Sequence, residues 1–245
     1  STDNAVRKGN DKENLNLLIA TLPKIKSSKD AKAYLSCALE FLNKRIEELQ
    51  ALHESEIKYS PTLVEIYEFI YRFLEKSYEG ETSAVVVGTL EKIFHSRKKG
   101  EFKVIAHKVN QSGASSKEVG DVDIYKGEHF HYAVEIKDKN FTAYDLEHAF
   151  KKIIENGGKK GQFVYGPNAT FVKEVITTKL DSYESKGFMT LFMDIYSYSR
   201  YMLFKTDVLN KQEFIDTLIL TAIEINSKEE VKKWIQNLLS ELKWK

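Results

Sequence analysis

The chain has one cysteine, Cys37, and three prolines in 245 residues. A lone thiol excludes a disulfide framework and a four-cysteine zinc site. Cys37 lies within an apolar helical pattern, so a core position is expected rather than a nucleophile. An excess of one charge sign is also missing: 37 Lys+Arg face 36 Asp+Glu, for a formal net charge of +1. The molecule is therefore no polycation, and any nucleic-acid contact must come from locally clustered basic residues. No apolar run approaches the ~18 residues of a membrane span, so no membrane partner is expected. No GxGxxG, phosphate-binding glycine loop or Ser–His–Asp spacing occurs, which removes NTPase, dinucleotide and triad-hydrolase readings and any nucleotide cofactor. The first residues carry no signal-peptide pattern, and a soluble cytoplasmic protein is expected. Apolar residues, by contrast, are plentiful at 42%, too many for a disordered chain.

The first third reads as helical after a polar leader ending near Glu13. Leu35, Ala38, Leu39, Leu42, Ile46 and Leu49 recur at three- and four-residue steps, which puts them on one helix face. Pro61 is expected in the first turn of another helix, whose stripe is Leu63, Ile66, Tyr67, Ile70, Phe73 and Leu74. Gly80 is read as a stop, and Thr82 or Ser83 as the cap of a helix running through Val87, Leu90 and Phe94. The period then shortens. Phe102 to Val109 alternates like a half-buried strand, Val122–Tyr125 and Phe130–Ile136 form two more, and Lys126-Gly127-Glu128 is a hairpin turn. Ala143–Ile154 returns to helical spacing and stops at Gly157-Gly158. Phe163–Tyr165 and Met189–Ile195 read as strands around a helix from about Ala169 to Ser185, and two helices follow. This order predicts an α/β fold with a mixed central sheet of about five strands flanked by helices. Residues 1–78 would hold the leader and a helical subdomain, and residues 79–245 the core with its C-terminal helices.

The chemistry concentrates in Gly120-Asp121-Val122-Asp123-Ile124-Tyr125 and Ala133-Val134-Glu135-Ile136-Lys137. Strand alternation sends Val134 and Ile136 to one face, Glu135 and Lys137 to the other. Asp123 lies one short hairpin away, near the level of Glu135. Two carboxylates and a lysine thus converge. Two carboxylates with a strand carbonyl can bind a hard cation such as Mg2+ through oxygen. Such a cation polarises a phosphoryl oxygen and acidifies its bound water, while the lysine orients that water or offsets developing charge. Glu-x-Lys alone often marks no more than a solvated strand face. Here the apolar strand, the upstream aspartate and the strand–helix order that follows favour a metal-dependent phosphodiester site.

Asp123, Glu135 and Lys137 in this frame resemble the PD-(D/E)XK nuclease signature, and the stretch from Asn110 to Asp121 resembles type II restriction endonucleases of the SacI type. The resemblance covers roughly Ser83 to Ile195. It implies a restriction-endonuclease-like fold and Mg2+-dependent, sequence-specific hydrolysis of double-stranded DNA to 5′-phosphate ends by a homodimer. Asp123, Glu135 and the Ile136 carbonyl would hold the metal, and Lys137 would act on the water. The family's Pro-Asp is absent. Asp121 and Asp123 both offer an acid, two apart on one face. Asp123 is preferred because apolar strand residues follow it, which leaves Asp121 as an accessory acid. Glu91, on the preceding helix, occupies the place of a further acidic residue in many such nucleases, although a solvated helix position is the plainer reading.

The polar loop offers Gln111, Ser112, Ser115, Ser116 and Lys117 to base edges or phosphates, with Gly113 allowing close backbone approach. Lys139 and Asn140 continue off the Glu135 strand. Lys151, Lys152, Lys159 and Lys160, and the run Arg97-Lys98-Lys99, could neutralise phosphates, though charge runs are usually solvated faces. Arg200 among Tyr196, Tyr198 and Tyr201 reads as packing more than as a DNA contact. His129 and His131 read as an exposed strand pair. His148 is a weaker candidate for DNA contact or site support.

Overall fold

The computed structural model describes residues 11–53, 62–108, 118–206 and 211–244. Pro61 lies outside them, as do Gln111, Ser112, Gly113, Ser115, Ser116 and Lys117. The chain divides into two compact units.

The first unit holds α1 (Asp11–Thr21), a 3-10 turn at Leu22–Lys24 and α2 (Ser28–His53). The helix expected after Ser28 is present, but the side chains described along its apolar stripe are not buried. Leu35, Leu39 and Leu42 are exposed, and so is Cys37. Helical spacing identifies a face; it does not supply something to pack on it.

The second unit is built on one five-stranded sheet in the order β1 (Phe102–Ala106), β2 (Val122–Lys126), β3 (His129–Lys137), β4 (Lys160–Tyr165), β5 (Met189–Asp194). The first three strands are antiparallel neighbours, and β3, β4 and β5 run parallel. Parallel neighbours need crossovers, supplied by α5 (Ala143–Glu155) and α6 (Lys173–Glu184). Both cover one face. There Ala133 and Phe163 of the sheet meet Leu146, Ala149, Phe150 and Ile153 of α5 and Ile176 of α6. The other face carries α4 (Glu81–Ser96), which packs on β1 and β2 and against α7 (Ile195–Lys205) and α8 (Lys211–Glu224). That approach is close at Gly88, where an added Cβ would come within 2.9 Å of Thr221 and 3.1 Å of Ala106. Outside it, α3 (Leu63–Leu74) buries Ile66, Phe69, Ile70, Phe73 and Leu74 and meets α9 (Glu229–Glu241).

Several boundaries differ from expectation for local reasons. Thr62 caps α3 through a reciprocal bond with Glu65. Neither Thr82 nor Ser83 caps α4. The chain leaves a 3-10 turn at Tyr78–Gly80 through Gly80, whose φ of +92° suits glycine, and the Thr82 hydroxyl donates back to the Lys76 carbonyl at 2.9 Å. β1 ends at Ala106, and α6 starts only at Lys173. The helix α7 was not anticipated. Asp194 ends β5 and at once caps α7, accepting from the backbone N–H groups of Tyr196 and Ser197 at 3.0 and 2.9 Å. Three helices therefore close the described chain, where two were expected.

Phe163 is fully buried beneath α5 and α6, with ring centroids 5.0 Å from Phe141 and 5.8 Å from Phe192. Phe163→Ala is expected to lower unfolding free energy by about 3–5 kcal/mol, read by urea denaturation. A loss under about 1 kcal/mol would show that this core collapses around the change.

Candidate active site

The β2–β3 hairpin sets the site. Gly127 takes a positive φ of +59° in the two-residue turn between Lys126 and His129, as a II′ turn requires. Tyr125 pairs with Phe130, but Ile124 pairs with Tyr132, so His131 is an extra residue on β3, a β-bulge. Beyond the bulge Val122 faces Val134 and Asp123 faces Ala133. The next pair along is Asp121 with Glu135, and the Asp121 N–H donates to the Val134 carbonyl at 3.0 Å.

Asp121 is half-buried and accepts the Ile136 N–H at 2.8 Å. Glu135 accepts from the Lys137 ammonium at 2.7 Å. Burial first, and the Glu135 carboxylate second, push Asp121 up to about 7, against the pull of the Ile136 N–H, Lys137 and His107. Burial works against the charge on Lys137, but Glu135, then Asp121 and Asp145, outweigh it and hold its pKa above the ordinary value. Two carboxylates and a protonated lysine thus share one crevice on the α5 face of the sheet.

Behind Lys137 the chain is fixed. Its carbonyl accepts the Gly166 N–H at 2.8 Å. The next residue, Asp138, accepts from the Asn168 N–H at 2.9 Å and from the Ser77 hydroxyl. An added Cβ on Gly166 would come within 2.2 Å of the Asp138 carboxylate, so only glycine fits this close approach.

Asp123 has a different role. Fully buried, it accepts the Val119 and Gly120 N–H groups at 3.0 and 2.8 Å, and His107 Nε2 lies 2.8 Å from it. Both oxygens are committed to holding the turn that delivers Asp121. The structure therefore brings Asp121, not Asp123, beside Glu135 and Lys137. Glu91 is also not brought there. It is a fully buried residue of α4, where Tyr132 and Tyr198 donate to it at 2.8 and 2.5 Å and His95 Nε2 lies 3.3 Å away. Tyr132 alternates with Ala133 and Glu135 along β3, so Glu91 is on the opposite face of the sheet.

Lys139 and Asn140 are exposed just past Lys137, with Asn140 accepting from the Thr170 hydroxyl. Lys151 is paired with Glu147 at 3.0 Å on the outer side of α5, where Lys152 is half-buried. His148 is exposed on α5, its ring stacked near Tyr144. Arg200 is exposed on α7, over the ring of Tyr67, a packing role. His107 and Glu118 were missed by sequence reasoning. They flank the polar loop, and only the pairing of β1 with β2 reveals that His107 adjoins Asp121, whose carbonyl accepts the His107 N–H at 2.8 Å. Burial alone would lower the imidazole, but Asp123, then Glu118 and Asp121, raise it above its ordinary value.

Among the described residues no group of three or more His, Cys, Asp or Glu side chains is arranged to hold a metal ion. The donors at this crevice are two carboxylates and the strand backbone, all hard oxygens, a set suited to Mg2+ and not to a thiolate-bound metal.

Residues 60–167 match the family model of the SacI restriction endonuclease C-terminal domain. The matched stretch spans α3 to β4 and contains Asp121, Glu135 and Lys137. No curated protein matches the chain. The similarity supports a restriction-endonuclease role and DNA binding. No helix among the described residues is long and apolar enough to cross a membrane.

The Asp121 shift has a testable sign. In the unfolded chain the carboxyl titrates near 3.8. Below that pH both states are protonated. As pH rises the unfolded state ionises first, so stability is lost progressively until the folded group ionises near 7. Asp121→Asn keeps an acceptor for the Ile136 N–H and cannot ionise. With chelator present it is expected to melt above the wild type at about pH 8, the difference closing toward about pH 4. No gain at the higher pH would overturn this reading of the crevice.

Proposed function

We propose that the protein is a Mg2+-dependent, sequence-specific endonuclease of type II that cuts double-stranded DNA as a homodimer and leaves 5′-phosphates. The observation that carries this is the side-by-side placement of Asp121, Glu135 and Lys137 at one end of a bulged hairpin, inside the segment similar to the restriction-endonuclease domain.

Asp121 and Glu135, with the Ile136 carbonyl, would hold the cation. Bound there, Mg2+ supplies charge neutralisation at the phosphoryl oxygen and a more acidic water. Lys137, kept protonated by Glu135, orients the attacking water and offsets negative charge gathering on the phosphoryl oxygens. Water adds its oxygen to phosphorus and gives up a proton to solvent, while the P–O3′ bond breaks and the departing O3′ takes a proton from solvent to become the 3′-hydroxyl. Asp123 and His107 keep Asp121 in register. Lys139 and Asn140, exposed just past Lys137, would contact the backbone of the cut strand. A twofold dimer would match a palindromic site.

The test is incubation with plasmid and phage DNA in Mg2+, in Ca2+ and with chelator. Discrete fragments only with Mg2+ are expected; a smear would indicate a structure-selective nuclease without base specificity. Lys137→Ala and Asp121→Asn are each expected to reduce cleavage about a hundred-fold or more while the protein stays folded. Asp123→Asn is expected to act through stability, since it replaces one of two buried acceptor oxygens with an amide NH2 and leaves a backbone N–H without its acceptor, at about 1–3 kcal/mol. Full cleavage by the Lys137 or Asp121 variant would remove the proposal.

A further inference from the structure

At the other end of β3, on the α4 face, three lysines lie on aromatic rings. The Lys98 ammonium is 4.0 Å from the Phe94 ring centroid and 5.7 Å from that of Phe102. Lys126 is 5.9 Å from the Phe102 ring centroid, and Lys160 is 4.4 Å from that of Tyr132. The bulged His131 joins the two halves, its ring 6.0 Å from Phe102 and 5.3 Å from Tyr132. Among the described residues no ion pair involves Lys98, Lys126 or Lys160.

A helix C-terminus accounts for a cation at Lys98, just past α4. It does not account for Lys126 and Lys160, which come from strands. Burial, and then repulsion from the neighbouring cations, lowers the pKa values of Lys98 and His131, and burial lowers Lys160. The carboxylate that opposes this for both lysines, Glu91, is fully buried behind Tyr132 and already bonded by two tyrosines. The surface thus gathers three lysines without ion-pair partners among the described residues over the aromatic rings of Phe94, Phe102 and Tyr132. Its complement carries closely repeated negative charges, as duplex DNA does, with one charge per about 1.7 Å of axis.

We propose that Lys98, Lys126, His131 and Lys160 form a second DNA-backbone contact, separate from the acidic crevice, that grips duplex phosphates without reading sequence. The choice of DNA rests on the nuclease reading. The separation follows from the strand: Tyr132 and Glu135 are three residues apart, about 10 Å, on opposite faces.

The test uses the Lys137→Ala protein, so that binding is read without cleavage, and a ~30-bp duplex titrated between about 50 and 200 mM salt. Adding Lys98→Gln, Lys126→Gln and Lys160→Gln together is expected to flatten the slope of log affinity against log salt by about 2 to 3, and the exposed Lys126→Gln alone by about 1. Unchanged slopes in both, with melting temperatures retained, would overturn the proposal. Polyglutamate binding that the triple variant loses while duplex binding persists would assign the surface to an acidic polypeptide and also overturn it. Failure of the nuclease reading would show separately, as a wild type that does not cut in Mg2+ while its salt slope still responds to the lysines.

Discussion

The chemistry of this molecule depends on the pairing register of β2 on β3, which turns on one extra residue. Were the hairpin regular from its Lys126–His129 closure, Ile124, Asp123 and Val122 would each oppose a β3 residue one position earlier. Asp121 would then face Val134, on the opposite side of the pleat from Glu135. The bulge at His131 shifts the ladder by one. A one-residue shift in a period-two structure exchanges the faces of all side chains beyond it. Both aspartates therefore arrive on the face that carries Glu135 and Lys137, while Val122 and Ile124 remain buried toward α4.

Given the register, the two aspartates divide the work by their surroundings. Asp123 is surrounded by donors and is spent on structure: two backbone N–H groups and an imidazole satisfy a carboxylate that would otherwise be costly to bury. Asp121 receives one backbone donor and a neighbouring carboxylate, so charge there is poorly compensated by the protein itself. Gly120 links the two roles. An added Cβ at that position would come within 2.9 Å of both the Ala133 side chain and the Val134 carbonyl, so the turn lies directly on β3 and leaves Asp121 little freedom.

Much of this was legible in the sequence. Alternation through Ala133–Lys137 separated the Glu135 and Lys137 face from the Val134 and Ile136 face, and the helical spacing of Leu146, Ala149, Phe150 and Ile153 marked the stripe of α5 that now packs on that sheet. The choice between Asp121 and Asp123 was not legible, because residues two apart share a face and a bulge leaves no period of its own. Glu91 looked like a site residue because a helix before the first strand can lie on either side of a sheet, and its partners, Tyr132 and Tyr198, come from 41 and 107 residues away. His107 was hidden for a related reason: its partnership with Asp123 spans the polar loop. The start of α7 was masked because Asp194 both ends a strand and caps a helix, with no intervening break.

Cys37 has a practical consequence. It is the only thiol in the chain, and it is exposed on α2. A maleimide dye or spin label would therefore attach at one defined position without mutagenesis, in the unit that does not contain the acidic crevice. The unmodified protein carries a ready spectroscopic handle on its N-terminal helices, and the tumbling of that label against the tryptophan signal of Trp234 and Trp244 would report the motion of each unit by a separate chromophore.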